Sequence, residues 1–345
     1  MLNFVKMKLD TLVQGIIHKN RRYLSRAITL VESTHTAHKQ MAGELNSTLT
    51  GMKKLSHSKR IGITGPPGVG KSSFIEAFGL FLLKQNYTVA VVAIDPSSKI
   101  SHGSILGDKV RMYNLSIHPH AFVRPVPSGS MLGGVSLNTS HILTILDYAG
   151  FDFIFVETVG VGQSETMVYD LTDMFIHLYN PLSGDEIQGI KRGIMELSDV
   201  FLITKCDGNF IHEALLTENK LRNALSFLRP TYKEWTTKIL RTSSVENINF
   251  DTLLETIHHF FSIESILIQS KERRHKLLEQ QAVDGIKNTL MDILISDECT
   301  RKEYTEILTN LKNGKISDYK AARNLLDSYF KHSIPPKDMQ QNEKA

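Results

Sequence analysis

Residues 65–72 read Gly-Pro-Pro-Gly-Val-Gly-Lys-Ser and fit the spacing G-x-x-x-x-G-K-[ST]. They stand directly after the apolar run RIGIT and before the helical pattern SFIEAFGLFLLKQ. That context gives the spacing its meaning. Glycines let successive backbone N–H groups converge on phosphate oxygens, and the following helix adds its positive N-terminal end. Gly65, Pro66, Pro67, Gly68, Val69, Gly70, Lys71, Ser72 and Ser73 therefore form a candidate cradle for a nucleoside triphosphate. Lys71 is expected to reach the β- and γ-phosphates, and the Ser72 hydroxyl to take one place on Mg²⁺. The plain alternative is a glycine-rich turn that happens to precede a lysine, and the flanking strand and helix argue against it.

A second group bears on the base. The run VFLIT leads into Lys205-Cys206-Asp207, so the segment reads TKCD where guanine-binding proteins usually carry N-K-x-D. The Asp207 carboxylate can accept two hydrogen bonds, from guanine N1–H and N2–H₂, whereas adenine presents no such pair of donors. A mismatched base would strand a buried carboxylate, so such a site discriminates strongly. Lys205 is expected to lie along base and ribose with its methylene stem. Thr204 keeps a hydroxyl but lacks the amide of asparagine, which predicts somewhat weaker guanine affinity. Thr242-Ser243-Ser244, after the run KIL, stands where a loop offers backbone N–H to guanine O6, making Ser243 and Ser244 candidates. GTP is favoured over ATP.

Acids at the ends of strands adjoining a phosphate loop are where Mg²⁺ and its waters are held. Asp95 follows TVAVVAI, Glu157 closes FDFIFV, and Asp108 lies in GSILGDKVRM. For each, a helix cap or a solvated loop acid is the bland alternative. Glu157-Thr-Val-Gly160 has the form of the D-x-x-G switch with Glu for Asp, and the Gly160 N–H could sense the γ-phosphate. The next position, where many signalling GTPases place a water-orienting glutamine, is Val161, and Gln163 comes two residues later. Hydrolysis is therefore expected to need another group, since unassisted GTPases turn over near ~10⁻⁴ s⁻¹. The internal candidate is Asn180–Gly193, with Asp185, Gln188 and Lys191. Lys191 swung toward the γ-phosphate would offset transition-state charge as an arginine finger does. A solvated helix start with scattered charges is the other reading of that stretch.

Three textures along the chain must position these residues. Residues 1–57 read as a helical extension, with Leu12, Ile16, Leu24, Ile28 and Val31 at helical spacing. Residues 58–262 alternate short β-rich runs with helical stretches, which predicts a mainly parallel, doubly wound α/β sheet flanked by helices. The expected strands are Arg60–Thr64, Thr88–Ile94, Ala121–Val123, Phe153–Val156, Met174–Leu178, Val200–Thr204 and Lys238–Leu240. Residues 263–345 read as helix again. Leu277, Leu278, Ile286, Leu290 and Ile293 fall near one face; Gly314 reads as a C-cap and Ser317 as an N-cap.

Composition narrows the classes. The chain has 345 residues, with 40 Lys+Arg against 36 Asp+Glu and a net charge of +4. That balance gives no nucleic-acid signature. Cys206 and Cys299 lie far apart and offer neither a disulfide framework nor a zinc ribbon. No apolar run approaches the ~18 residues of a membrane helix, and the N-terminus lacks a signal-peptide pattern, so a cytoplasmic protein without membrane contact is expected. His118-Pro-His120 and His258-His259 read as loop and helix histidines rather than metal ligands, and Trp235 as a packing anchor.

Taken together, GPPGVGKSS, AIDPSS, GSILGDKVRM, the RPVPS–LGGV loop, VETVGVGQSE, GDEIQGIKRGIMELSD and TKCDG resemble the methylmalonyl-CoA mutase-associated GTPases, relatives of the methylmalonic aciduria type A protein. That family also carries an older label as a lysine/arginine/ornithine transport kinase. The resemblance runs from about Arg26 to the final helix. It implies a P-loop GTPase chaperone that gates adenosylcobalamin delivery to an acyl-CoA mutase and protects that enzyme, with GTP/GDP and Mg²⁺ as its ligands and an adenosyltransferase as a further possible partner. It implies a homodimer held by a C-terminal helical arm. Position by position, Lys71 and Ser72 match the phosphate loop, Asp95, Asp108 and Glu157 the metal-associated acids, and Lys191 the catalytic lysine of an extra switch. Thr204 for Asn, Ser244 for Ala and His141 for Glu are the departures. Two competing readings remain: a kinase or ATPase acting on a basic amino-acid transport component, and a nucleotide-independent subunit of a mutase complex.

Overall fold

Seven parallel strands form one sheet in the order β3-β2-β4-β1-β5-β6-β7 in a computed structural model that describes residues 9–33, 35–52, 58–95, 112–127, 132–158, 164–181, 192–296 and 298–333. The strands are β1 (Lys59–Thr64), β2 (Val89–Asp95), β3 (Ala121–Pro127), β4 (Phe153–Glu157), β5 (Met174–Tyr179), β6 (Val200–Ile203) and β7 (Lys238–Arg241). Each corresponds to one expected run. The largest difference is at β3, which continues four residues beyond Val123 through Pro125 and Pro127. β3 pairs only with β2 and is therefore an edge strand, where a residue without an N–H is tolerated. β6 stops one residue short of Thr204, and the chain turns at Lys205, whose φ of 57° is left-handed.

Helices cover both faces. α1 (Leu9–Ile17), α2 (Arg21–Glu32), α3 (Thr36–Gly51), α6 (Leu132–Ala149) and α7 (Ser164–Leu171) lie on one side. α4 (Lys71–Lys84), α5 (Tyr113–Ile117) and α10 (Phe250–Ser262) pack on the other, while α8 (Arg192–Leu197) and α9 (Ile211–Leu225) attend β6 and β7. Burial alternates along the strands: Val89 and Val91 face the α4 layer, Ala90 and Val92 the α1–α3 layer. Both layers are apolar, which is why the central strands read as continuous hydrophobic runs. The N-terminal helices are tied to the sheet by polar bonds as well. Arg21 donates to the carbonyls of Ser116, His118 and Ala121 at 2.5, 3.0 and 2.8 Å, and Glu32 pairs with Arg124 on β3.

The chain divides into two compact units, Met1–Leu277 and Leu278–Ala345. α11 (Glu264–Ser296) begins in the first and ends in the second. The second unit also holds α12 (Glu298–Lys312) and α13 (Asp318–Ser333). Between them Gly314, at φ 67°, closes α12, with Lys315 N–H donating to Asn310 O at 2.9 Å. Ser317 caps α13, its Oγ accepting from Lys320 N–H at 3.3 Å. Ala321 and Leu325 are buried, whereas Leu278, Ile286, Leu290, Ile293 and Phe330 are exposed.

Candidate functional site

The loop from Gly65 to Gly70 turns β1 into α4. Gly65, Gly68 and Gly70 take φ of 146°, 77° and 99°, which side chains resist, and a Cβ on Gly65 would lie 2.6 Å from Leu178 O. Val69 is buried in the core and anchors the loop beside the exposed Pro67 and Gly68. α4 starts at once, Phe74 N–H donating to Gly70 O at 2.8 Å, so its N-terminal end follows directly on the loop.

Lys71 opens α4. Its ammonium donates to Gly65 O at 2.7 Å and to Pro66 O at 3.2 Å, across the mouth of the loop. Burial lowers its pKa, opposed by the carboxylates of Glu157 and Glu165. Ser72 Oγ donates to Glu157 Oε1 at 2.8 Å, which brings together two of the four metal candidates. Parallel register sets this up: Glu157 ends β4 beside Ile63 of β1 and Ala93 of β2. Asp95 ends β2 two residues beyond Ala93, at the same edge of the sheet; its side chain, like the whole of Asp108, Gly160, Asp185, Gln188 and Lys191, lies outside the described residues. A serine hydroxyl and a carboxylate are hard oxygen donors, so the set fits Mg²⁺.

The base end is built from two loops. Ser243 Oγ donates to Asp207 Oδ2 and accepts from the N–H groups of Val245 and Glu246 at 3.2 and 3.1 Å. Ser243 thereby fixes the carboxylate through its side chain, a role its sequence position did not disclose. Ser244 follows, half-buried. Lys205 Nζ reaches Gly68 O at 3.2 Å, drawing its stem over the space between base loop and phosphate loop. Thr204 is buried, and its hydroxyl bonds Val69 O at 2.9 Å and Tyr179 O at 3.2 Å. That hydroxyl ties the two loops through the backbone. Cys206 is buried beside them, and burial pushes its thiol up to about 11. Two residues lie outside the site: Trp235 is buried and its indole N–H donates to Asp199 O at 3.0 Å, and His141 is half-buried with its pKa lowered by burial.

Three residues that the sequence reading passed over lie under the cradle. Thr158 Oγ1 donates to Thr64 Oγ1 at 3.0 Å, and Thr64 Oγ1 donates to Glu165 Oε1 at 3.3 Å, all buried. Only position could have flagged them: Thr64 precedes Gly65, Thr158 follows Glu157, and Glu165 ends the string VETVGVGQSE.

A parallel sheet whose first strand feeds a glycine-rich phosphate-loop sequence, with acids ending the adjoining strands and a carboxylate after β6, is the arrangement of a P-loop GTPase. The family model described as methylmalonyl-CoA mutase-associated GTPase MeaB matches residues 24–302, and the chain belongs to that family. It is 37% identical to the GTPase ArgK of Escherichia coli over 309 residues, 88% of this chain and 92% of that one. It is also 37% identical to the mitochondrial methylmalonic aciduria type A homolog of Mus musculus over 333 residues, 93% of this chain and 79% of that one. A crystal structure titled LAO/AO transport system kinase superposes with a TM-score of 0.69 at 30% identity, covering 95% of this chain and 98% of the other. Among the described residues, no helix is long and apolar enough to cross a membrane.

Proposed function

We propose that this GTPase is a cytoplasmic, homodimeric chaperone that couples GTP binding and hydrolysis to adenosylcobalamin loading and protection of a methylmalonyl-CoA or related acyl-CoA mutase, with an adenosyltransferase as a further partner. The guanine assignment is carried by Asp207, held by Ser243 at the end of β6 and free to turn its other oxygen to guanine N–H groups. The mutase assignment is supported by the family's association with that enzyme and by the mouse relative. The backbone N–H groups of Gly68, Val69 and Gly70, with Lys71, hold the phosphates. Lys71 exchanges the carbonyls of Gly65 and Pro66 for phosphate oxygens. Ser72, Asp95, Asp108 and Glu157 would hold Mg²⁺, which would supply positive charge to the phosphates when bound. Gly160 senses the γ-phosphate. Lys191, supported by Asp185 and Gln188, stabilises the charge that develops as the terminal phosphate departs. Residues 263–345 supply the dimer contact.

The test is hydrolysis of GTP with and without an adenosylcobalamin-dependent mutase. Lys191→Ala is expected to bind GTP like the wild type while turnover falls by about 10²–10³-fold; unchanged turnover would remove Lys191 from the mechanism. Lys71→Ala with chaperone action intact would favour the nucleotide-independent subunit. The likeness to a protein called LAO/AO transport system kinase supports one further reading, phosphorylation of a transport component. Transfer of radiolabelled γ-phosphate to protein would establish it.

A further inference from the structure

The two edges of the sheet differ in how they are closed. β3 borders one side, and Pro125 and Pro127 leave it short of the N–H groups that another strand could use. β7 borders the other, and its residues, Lys238–Arg241, include no proline. Lys238 N–H donates to Asp199 O at 3.1 Å and Thr242 N–H to Ile203 O at 2.8 Å, so these two positions face β6. Backbone direction alternates along a strand, which turns the main chain of Ile239 and Arg241 outward. Arg241 O is taken by the Asn249 side-chain amide at 2.9 Å. The N–H and C=O of Ile239 and the N–H of Arg241 remain, and among the described residues no strand pairs with them.

At the start of this edge lies a cleft of about 390 Å³, formed by α8, the end of α9 and the loop that leads into β7. Met195, Leu225 and Leu228 give it apolar walls, and Arg222, Arg229 and Lys238 bring positive charge to it. Glu218 is already shared, meeting Arg222 at 2.9 Å and Arg241 at 3.1 Å. With Glu196 of the cleft included, four cations stand against two carboxylates. That excess decides the occupant. Shortness and charge are the usual guards of an open edge, and like charges repel the same edge of a second copy. β3 of a second copy has few N–H groups to offer in return. A strand that carries acids meets neither obstacle.

We propose that β7 and the basic cleft beside it bind an acidic, extended segment of a partner protein, which joins the sheet as an eighth strand. Ile239 and Arg241 supply the main-chain bonds, the cleft takes an apolar side chain of the segment, and Arg229 and Lys238 meet its carboxylates. The cleft opens at the start of β7, whereas Asp207 and Ser243 follow the ends of β6 and β7. The inference therefore stands whichever base the nucleotide site takes.

The probe is a fluorescein-labelled peptide of about eight residues that alternates glutamate with valine, titrated into the full-length protein. Two control peptides accompany it, one with lysine for glutamate and one N-methylated at every peptide bond, which keeps the charge and removes the main-chain donors. The acidic peptide is expected to bind with a dissociation constant below about 1 mM, and each control at least about tenfold more weakly. Bound peptide should slow amide exchange at Ile239 and Arg241 by about fivefold or more. Arg229→Glu with Lys238→Glu should weaken binding by about tenfold or more and leave GTP uptake as in the wild type. Arg229→Gln with Lys238→Gln replaces that pair if it does not fold. No binding at about 1 mM acidic peptide would overturn the proposal. So would equal binding of the N-methylated form, which would mark surface charge alone, or unchanged exchange at Ile239 and Arg241, or binding that both changes leave intact.

Discussion

Thr204 shows how a departure at one position can leave a site serviceable. Its hydroxyl joins the carbonyls of Val69 and Tyr179, so the end of β6 stays fastened to the phosphate loop without an asparagine amide. In the proposed guanine site, selection of the base falls on Asp207, oriented by Ser243. Asp207→Asn should lose about 2–3 kcal/mol of GTP affinity, roughly 30–150-fold, and gain preference for xanthosine triphosphate. Competition binding with both nucleotides measures this, and retained GTP selectivity would refute the base assignment. Residues in short contiguous strings, such as 65–72 and 204–207, were legible because local backbone geometry dictates their types. Ser243 Oγ, Thr64 and Glu165 were not legible as partners, since their bonds span 36 to 101 residues of chain and depend on register.

At the scale of the element, all seven strands could be read from their apolar runs, and the errors lie at their ends. β5 carries one residue that such a run does not predict. His177 is 3% exposed, its ring stacks on Phe201 at 5.2 Å, and neither ring nitrogen has a hydrogen-bond partner among the described residues. Burial, with Lys71 adding to it, lowers its pKa from 6.5 to about 4. The unfolded chain therefore takes up the proton first, and stability is lost as pH falls from about 6.5 toward about 4. Asp199 has the opposite sign. Burial raises it to about 7, so the folded state binds that proton first and gains stability as pH falls below 7. Comparing His177→Leu with the wild type cancels Asp199. The variant should be more stable by about 1–3 kcal/mol at pH 7, with the gap widening by about 2 kcal/mol at pH 5. Urea unfolding at both pH values checks it; a gap that does not grow would mean His177 titrates normally.

For the whole molecule, the second unit leaves Ile286, Leu290 and Ile293 of α11 exposed at helical spacing. Apolar side chains in such a row are what a homodimer contact would cover. Leu290→Lys with Ile293→Lys should weaken self-association by about 30-fold, or about 2 kcal/mol, in sedimentation. GTP turnover in the absence of a mutase should stay close to wild type. An unaltered sedimentation profile would place the dimer contact elsewhere. The sequence disclosed the helices of this unit through Gly314 and Ser317, whose capping is local. Which of their faces remain uncovered depends on packing, and that was not legible.

The first fifty residues have a practical bearing of their own. α1, α2 and α3 bury Leu12, Ile16, Leu24, Ile28, Leu45 and Leu49 in the same core as β2 and β4, and Arg21 closes the carbonyl end of α5. A fragment trimmed to begin at residue 58 would keep every nucleotide-reading motif. It would also present an oily flank of the sheet to water, together with carbonyls stripped of their donor. Engineers seeking a minimal GTP-binding piece of this chain should cut at the C-terminal side.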